Sequence, residues 1–312
     1  MTVNMQYGKE LEKIFDKTYE QSQLKEHEQK LKHYSDFREE LEKRRLTGNV
    51  VRGDMLPWRD DAAVSQFRLR PAELTIWSGY NFTGKSLLVG QIAASLAVDM
   101  KVAIASFEMN PIDTLDRIQR QCLIKASSSN DIIDLFYSKL NLWIYAHNEN
   151  MPVKTTIGMA QYMAQQGNKH LFIDSLMMCT DDDDYNSQKQ VIQELRAVAI
   201  EYQVHIHLVA HNKKPPKPGH KPTRHDILGG SGIANNADNI VIMDAEDPDN
   251  LKDNPSLPTH YANVNKHRNG KYKGTISFYL NEKTLQFKRS LHDPDHDYLG
   301  VNKYFGGVRA IA

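Results

Sequence analysis

The run Leu74-Thr75-Ile76-Trp77-Ser78-Gly79-Tyr80-Asn81-Phe82-Thr83-Gly84-Lys85-Ser86-Leu87-Leu88 decides the fold. It opens as a short apolar strand, turns through a loop bounded by two glycines, and continues as a helix in which Leu87, Leu88, Ile92 and Leu96 share a face. Within it Gly79 to Ser86 fits G-x-x-x-x-G-K-[ST], the phosphate-binding loop, in the strand-to-helix setting that its mechanism needs. Glycines let the backbone curl so that its N–H groups face phosphate oxygens, and the helix start adds the positive end of its dipole. Gly79, Tyr80, Asn81, Phe82, Thr83, Gly84, Lys85 and Ser86 are therefore expected to cradle ATP. Lys85 should reach the β- and γ-phosphates, and the Ser86 hydroxyl should ligate Mg²⁺.

Outward from this loop the pattern repeats. Apolar runs at Val102-Phe107, Leu142-Tyr145, Leu171-Ile173, His205-Val209 and Ile240-Met243 alternate with helical segments near 85–98, 111–125, 155–166 and 187–202. Strands separated by helices build βαβ units, so an α/β fold with a mostly parallel central sheet is expected, its ligands bound beyond the carboxyl ends of the strands. Past residue 260 the signal changes. His260-Arg268 and Thr275-Leu280 flank the turn dipeptide Asn269-Gly270, and Thr284-Lys288 adds a short third strand, which predicts an antiparallel C-terminal hairpin.

Before the core, residues from about Gly8 to Arg45 are rich in Glu, Lys and Gln and contain no Pro. Leu31, Tyr34, Phe37 and Leu41 follow at three- and four-residue intervals, which reads as one charged helix with a thin apolar stripe. Such a helix either lies on its own core or packs as an arm on a neighbouring subunit. Gly48, Gly53 and Pro57 break the pattern. The expected organisation is a helical N-terminal arm and linker at 1–55, an ATPase domain at 56–290 and a C-terminal tail at 291–312.

Two acids stand where a phosphate-binding loop needs them. His170-Leu171-Phe172-Ile173-Asp174 is an apolar strand ending in a carboxylate, from which Asp174 can hold the Mg²⁺ water shell beside Ser86. Glu108 follows Val102-Phe107 at the same sheet edge, where it can orient and deprotonate an attacking water. His211 ends another strand and suits a γ-phosphate sensor. His205 and His207 share a face at period two; a metal site formed with His211 is an open alternative, although no further ligand cluster is evident.

The 312 residues carry 39 basic and 39 acidic side chains, which excludes nucleic-acid binding through bulk charge and leaves only local clusters for it. One cluster lies between Asn212 and Asp226: Lys213, Lys214, Lys217, Lys221 and Arg224, with four prolines that keep the segment extended. Gly229, Gly230 and Gly232, around Ser231, allow close backbone approach. The stretch suits a loop that tracks a phosphate backbone; a solvated surface loop is the plainer reading. Asp181-Asp182-Asp183-Asp184 has the opposite sign, and either faces away from nucleic acid, binds a partner or extra Mg²⁺, or is a solvated acidic loop. Cys122 and Cys179 lack metal-ligand spacing and a disulfide pattern, and no run of 18 apolar residues or N-terminal signal appears. A cytoplasmic protein without membrane association is expected, in the host cytoplasm if phage-encoded.

Five stretches, in order, resemble the RecA-like ATPase domain of the DnaB-type hexameric replicative DNA helicases, the group that includes the mitochondrial Twinkle helicase and phage primase-helicases. They are Leu74-Gly79 leading into Gly84-Lys85-Ser86; Ile104-Ala105-Ser106-Phe107-Glu108-Met109; Phe172-Ile173-Asp174-Ser175-Leu176; Ala210-His211-Asn212-Lys213 with Gly230-Ser231-Gly232-Ile233-Ala234 and Ala237-Asp238-Asn239; and Lys266-His267-Arg268-Asn269-Gly270. The resemblance implies a RecA-like core in which Glu108 is the catalytic base, Asp174 the metal-linked carboxylate and His211 the nucleotide sensor. It also implies that Lys266 and Arg268, which leave one face of a strand, reach the γ-phosphate held by the neighbouring subunit. The plainer reading of that pair is two solvated cations beside a turn. Implied partners are single-stranded DNA, gripped by Lys213, Lys214, Lys217, Lys221, Arg224 and Gly229 to Gly232, and further copies of the chain, as a hexamer. A separate primase, loader or single-strand-binding protein completes the expectation. Many relatives carry Arg shortly before the Gly-Ser-Gly segment, where this chain reads Asp226-Ile227-Leu228-Gly229.

The expected activity is an ATP-dependent, ring-shaped helicase motor moving 5′ to 3′ on single-stranded DNA. Two alternatives stand beside it: a RecA-like recombinase that exchanges strands, and a helicase loader or scaffold that binds ATP without useful turnover.

Overall fold

The computed structural model describes residues 32–46, 53–123, 130–147, 150–180, 185–217, 219–270 and 272–300. The acidic run Asp181-Asp184, most of the predicted arm and residues 301–312 lie outside them. The chain divides into a unit up to Val51 and a unit from Arg52 onward.

In the first unit a 3₁₀ turn, Tyr34–Phe37, leads into α1 (Arg38–Leu46). The single continuous helix expected over 8–45 therefore does not hold through His33. His33 is extended, its ring accepts from the Ser35 N–H, and its own N–H donates to Asp36 at 3.0 Å, so a capping box starts the helical segment after it. Tyr34, Phe37, Leu41 and Leu46 are exposed.

The second unit opens with a ribbon, β1 (Asp54–Met55) against β2 (Arg68–Leu69). A sheet of nine strands follows among the described residues. Its parallel part consists of β3 (Glu73–Gly79), β4 (Val102–Ser106), β5 (Leu142–Tyr145), β6 (His170–Asp174), β7 (His205–His211) and β8 (Asn239–Ala245), in the order β5-β4-β6-β7-β3-β8. Beyond β8 come β9 (His260–His267), β10 (Gly274–Asn281) and β11 (Gln286–Lys288), each antiparallel to its neighbour. The parallel sheet and the antiparallel C-terminal strands are as expected.

Every residue of β3 is buried, which requires cover on both faces. The period of two divides the apolar side chains between two core layers. Leu74, Ile76, Leu171, Ile173, Ile206, Leu208, Ile240 and Ile242 enter one layer, shared with α5 (Val153–Gln165), α6 (Tyr185–Tyr202) and α7 (Gly230–Asn236). Trp77, Phe172, Val209 and Val241 enter the other, shared with α2 (Lys85–Ala97), α3 (Pro111–Cys122) and α4 (Asn130–Lys139). A short α8 (Pro248–Asp253) precedes β9. From β3 the chain passes through α2 and crosses over β7 and β6 to reach β4, so the carboxyl ends of the parallel strands line one edge of the sheet.

The second layer holds a row of buried histidines rather than a metal site. The Trp77 indole N–H donates to His207 Nδ1 at 3.2 Å, so His207 carries its proton on Nε2 and donates to His170 Nδ1 at 3.0 Å. His170 Nε2 in turn donates to Asp54 at 3.0 Å, tying the ribbon to the sheet. His205 donates to the Arg70 carbonyl at 2.6 Å, and burial pushes its pKa down to about 3. Among the described residues no group of three or more His, Cys, Asp or Glu side chains could hold a metal ion.

Residues 291–300, placed in the tail by sequence, pack on the domain. Leu299 is buried, the Gln91 amide donates to the Tyr298 hydroxyl at 2.8 Å, and the His296 N–H donates to Gln286 at 2.7 Å. No described helix is long and apolar enough to cross a membrane.

Candidate active site

The loop between β3 and α2 is built on two glycines that admit nothing larger. Gly84 caps α2 with φ 76°, and a Cβ there would stand 2.9 Å from the Phe287 ring. A Cβ on Gly79 would stand 2.4 Å from the Met243 carbonyl oxygen. Thr83 ties the loop by donating to the Tyr80 carbonyl at 2.8 Å, while Phe82 projects into solvent. Lys85 is buried, with its ammonium donating to the carbonyls of Gly79 and Tyr80 at 3.1 and 2.7 Å. Burial pulls its pKa down, against the pull of the Asp174 and Glu108 charges.

Asp174, at the end of β6, is buried and accepts a hydrogen bond from Ser86. Burial pushes its carboxyl up to about 6, and the Glu108 charge adds to the rise. Its Oδ1 atom is buried without a hydrogen-bond partner. A hydroxyl and a carboxylate with an unpaired oxygen form the hard donor set that Mg²⁺ prefers, so these residues fit that ion.

Glu108, just past β4, is fixed from two sides. His211 at the end of β7 bonds it through Nε2 at 2.7 Å, and the Ser175 hydroxyl donates to the same oxygen. The His211 hydrogen bond holds the Glu108 pKa below the usual range despite burial, with help from Ser175 and from the charges of His211 and Lys85. The other ring nitrogen of His211 meets Asn81 of the phosphate loop at 2.9 Å. His211 thus bridges the loop and the carboxylate.

These groups line one cleft of about 630 Å³. Its walls include Arg117 and Arg120 of α3, and His260 and Leu285, none of which stood out in the sequence. For the two arginines a signal existed: they stand three apart on the helix that directly follows Glu108, so they share a face near the same sheet edge. Ser175 and Asn212 were missed as well; Asn212 accepts from the Ser78 hydroxyl at 2.6 Å.

Lys266 and Arg268 are not in the cleft. Lys266 pairs with Ile240, and Ile240 with Ile76, three residues before Gly79. The Lys266 ammonium donates to the carbonyls of Ala234, Asn235 and Ala237 at the end of α7, and Arg268 donates to those of Asn235 and Ala237. Both cations therefore reach the face opposite α2.

The basic segment after β7 is a loop closed at its base. Asn212 bridges Ile227, the Lys213 N–H donates to the Asp226 carbonyl at 2.7 Å, and the Leu228 N–H donates to the His211 carbonyl at 2.8 Å. Lys213, Lys214, Lys217, Lys221 and Arg224 are exposed along it. Asp226 organises the turn by accepting from the Thr223 N–H and hydroxyl and from His220. Gly229 caps α7 with φ 94°, and the space beside it is filled by Ile233 and Gln188, so its smallness serves helix packing. Gly230 and Ser231 open α7, and Gly232 lies within its first turn.

The DnaB-like helicase C-terminal domain family matches residues 65–289. A solved structure described as a DnaB-like replicative helicase and its interactions with primase superposes with a TM-score of 0.65 at 16% identity, covering 82% of this chain and 67% of that one. A second solved structure, described as an ATPase domain, superposes with a TM-score of 0.66 at 16% identity, covering 80% of this chain and 97% of that one. No curated protein matches the sequence.

Proposed function

The chain belongs to the DnaB-like helicase C-terminal domain family, and on that premise we propose that it is the ATP-hydrolysing motor of a ring-shaped, hexameric replicative helicase that moves 5′ to 3′ on single-stranded DNA. The observation that carries the reading is the chain of contacts Asn81–His211–Glu108 at 2.9 and 2.7 Å above the phosphate loop. Glu108, kept ionised by its partners, accepts the proton of the attacking water. His211 touches both the loop and the base, so loss of the γ-phosphate alters its contacts, and its carbonyl holds the returning strand of the basic loop. Lys85 exchanges the carbonyls of Gly79 and Tyr80 for phosphate oxygens. Ser86 and Asp174 would hold Mg²⁺, which would supply neutralisation of the charge developing on the phosphates.

Lys266 and Arg268 cannot serve this cleft. Lys266 is level with Ile76, about 10 Å down the sheet from Gly79 at roughly 3.3 Å per residue, and Arg268, opposite Asp238, is about 17 Å down; both lie on its other face. The phosphates they neutralise belong to the adjacent copy, which couples hydrolysis to assembly. Lys213, Lys214, Lys217, Lys221 and Arg224 track the DNA backbone, with Gly229 to Gly232 at the foot of their loop. A primase, a loader and a single-strand-binding protein act as separate partners.

Glu108→Gln tests the reading. We expect DNA-stimulated ATP turnover to fall about 10²–10⁴-fold with ATP binding retained. Wild-type turnover by this variant would remove Glu108 from the chemistry. On forked duplexes, unwinding that requires a 3′ tail would overturn the polarity, and strand exchange without unwinding would favour a recombinase.

A further inference from the structure

Asp238 lies between α7 and β8 and is 1% exposed. Three groups share its carboxylate. The Arg196 guanidinium of α6 donates through Nε at 3.1 and 3.3 Å and through Nη2 at 3.2 Å; Arg268 approaches Oδ1 at 3.1 Å; and the Leu74 N–H donates to Oδ2 at 3.1 Å. The two arginines are held unequally. Arg196 commits its fork to the carboxylate, whereas Arg268 makes one contact there through Nη1 and turns Nη2 to two helix-end carbonyls at 3.2 and 3.4 Å.

That inequality matters for a cation that must change partners. A buried carboxylate stripped of its sole counter-ion is left with an uncompensated charge, a heavy penalty that would pin the cation in place. With Arg196 still bonded, Asp238 stays neutralised when Arg268 leaves. We propose that Arg196 is a positioning residue for Arg268: it keeps Asp238 charge-paired and so frees Arg268 to exchange that carboxylate for a phosphate of the adjacent copy. The inference rests on the reading that Arg268 serves the neighbouring site. Arg196 itself touches no substrate.

The test is a double-mutant cycle on the full chain with ATP, Mg²⁺ and single-stranded DNA. Arg196→Ala should lower kcat by about tenfold or more, because Arg268 is then bound by an otherwise unpaired Asp238, with KM for ATP within about twofold of wild type. Arg196→Lys, which restores a charge beside Asp238, should recover most of the loss. The double variant Arg196→Ala/Arg268→Ala should be no slower than Arg268→Ala alone, since a positioning residue has nothing left to position. Multiplying losses in the double variant, or wild-type turnover by Arg196→Ala, overturns the proposal. If Arg268→Ala itself turns over normally, the shared-site reading falls first and takes this inference with it. Should Arg196→Ala fail to fold, Arg196→Gln, which keeps donors without the charge, is read against the same criteria.

Discussion

Two buried carboxylates sit at opposite edges of one sheet, and the chain treats them differently. Asp238, at the amino edge, is surrounded by two guanidinium groups and a backbone N–H. Asp174, at the carboxyl edge, has the Ser86 hydroxyl and a buried oxygen with no partner. A buried charge is tolerated when it is paired, so the amino edge is completed by the protein while the carboxyl edge is built to be completed by something else. The contrast separates a carboxylate that holds the fold from one that is left open for a ligand, although both are buried and at strand ends.

The contrast breaks most readily at Asp238. Asp238→Ala strands two arginines and the Leu74 N–H, and should destabilise the protein by about 3–5 kcal/mol. Denaturant unfolding measures this, and an unchanged midpoint would mean that the amino edge is not held by these pairs. Asp174→Asn should act in the opposite direction. Its folded pKa, about 6, lies above the ordinary value of 3.8, so ionised Asp174 lowers stability as pH rises from 3.8 through 6. The loss is complete above that window and absent below it. At pH 8 the nucleotide-free Asn variant should therefore be more stable than wild type by up to about 3 kcal/mol, with the difference vanishing near pH 4. Thermal melts across pH check the sign, and Mg²⁺ with ATP should raise the melting point of wild type far more than that of the variant. The smallest effect concerns DNA. Lys217→Ala, on the loop beyond β7, should reduce the slope of log affinity against log salt by about 0.7 for a single strand, whereas Lys169→Ala, exposed just before β6 at the amino edge, should leave it unchanged. Equal slopes in both variants would detach that loop from DNA binding.

The same contrast explains what could be read from residues alone. Gly79 to Ser86, Glu108, Asp174 and His211 each follow an apolar run, and a parallel sheet gathers the carboxyl ends of its strands on one edge whatever their order. The cleft was therefore readable without the order β5-β4-β6-β7-β3-β8, which no local pattern encodes. Partners at the amino edge were not. Arg196 and Asp238 are 42 residues apart and meet only because α6 packs on α7 and β3, and Arg196 reads in the chain as one more charge on an amphipathic helix. The ribbon of β1 and β2 was missed for a related reason: two-residue strands have no periodicity to detect. Within the predicted arm, helical continuity breaks at His33 because a polar capping box interrupts the stripe without a glycine or proline to mark it. Gly229 was read as room for a ligand, whereas Ile233 and Gln188 occupy that room.

The histidine row carries one more implication. An indole nitrogen only gives and a carboxylate only takes, so every hydrogen between Trp77 and Asp54 points the same way, like a file of people each facing the next one's back. No single member can turn round without its neighbours, and a change at His207 would be registered simultaneously at the centre of the sheet and at the short ribbon where the second unit begins.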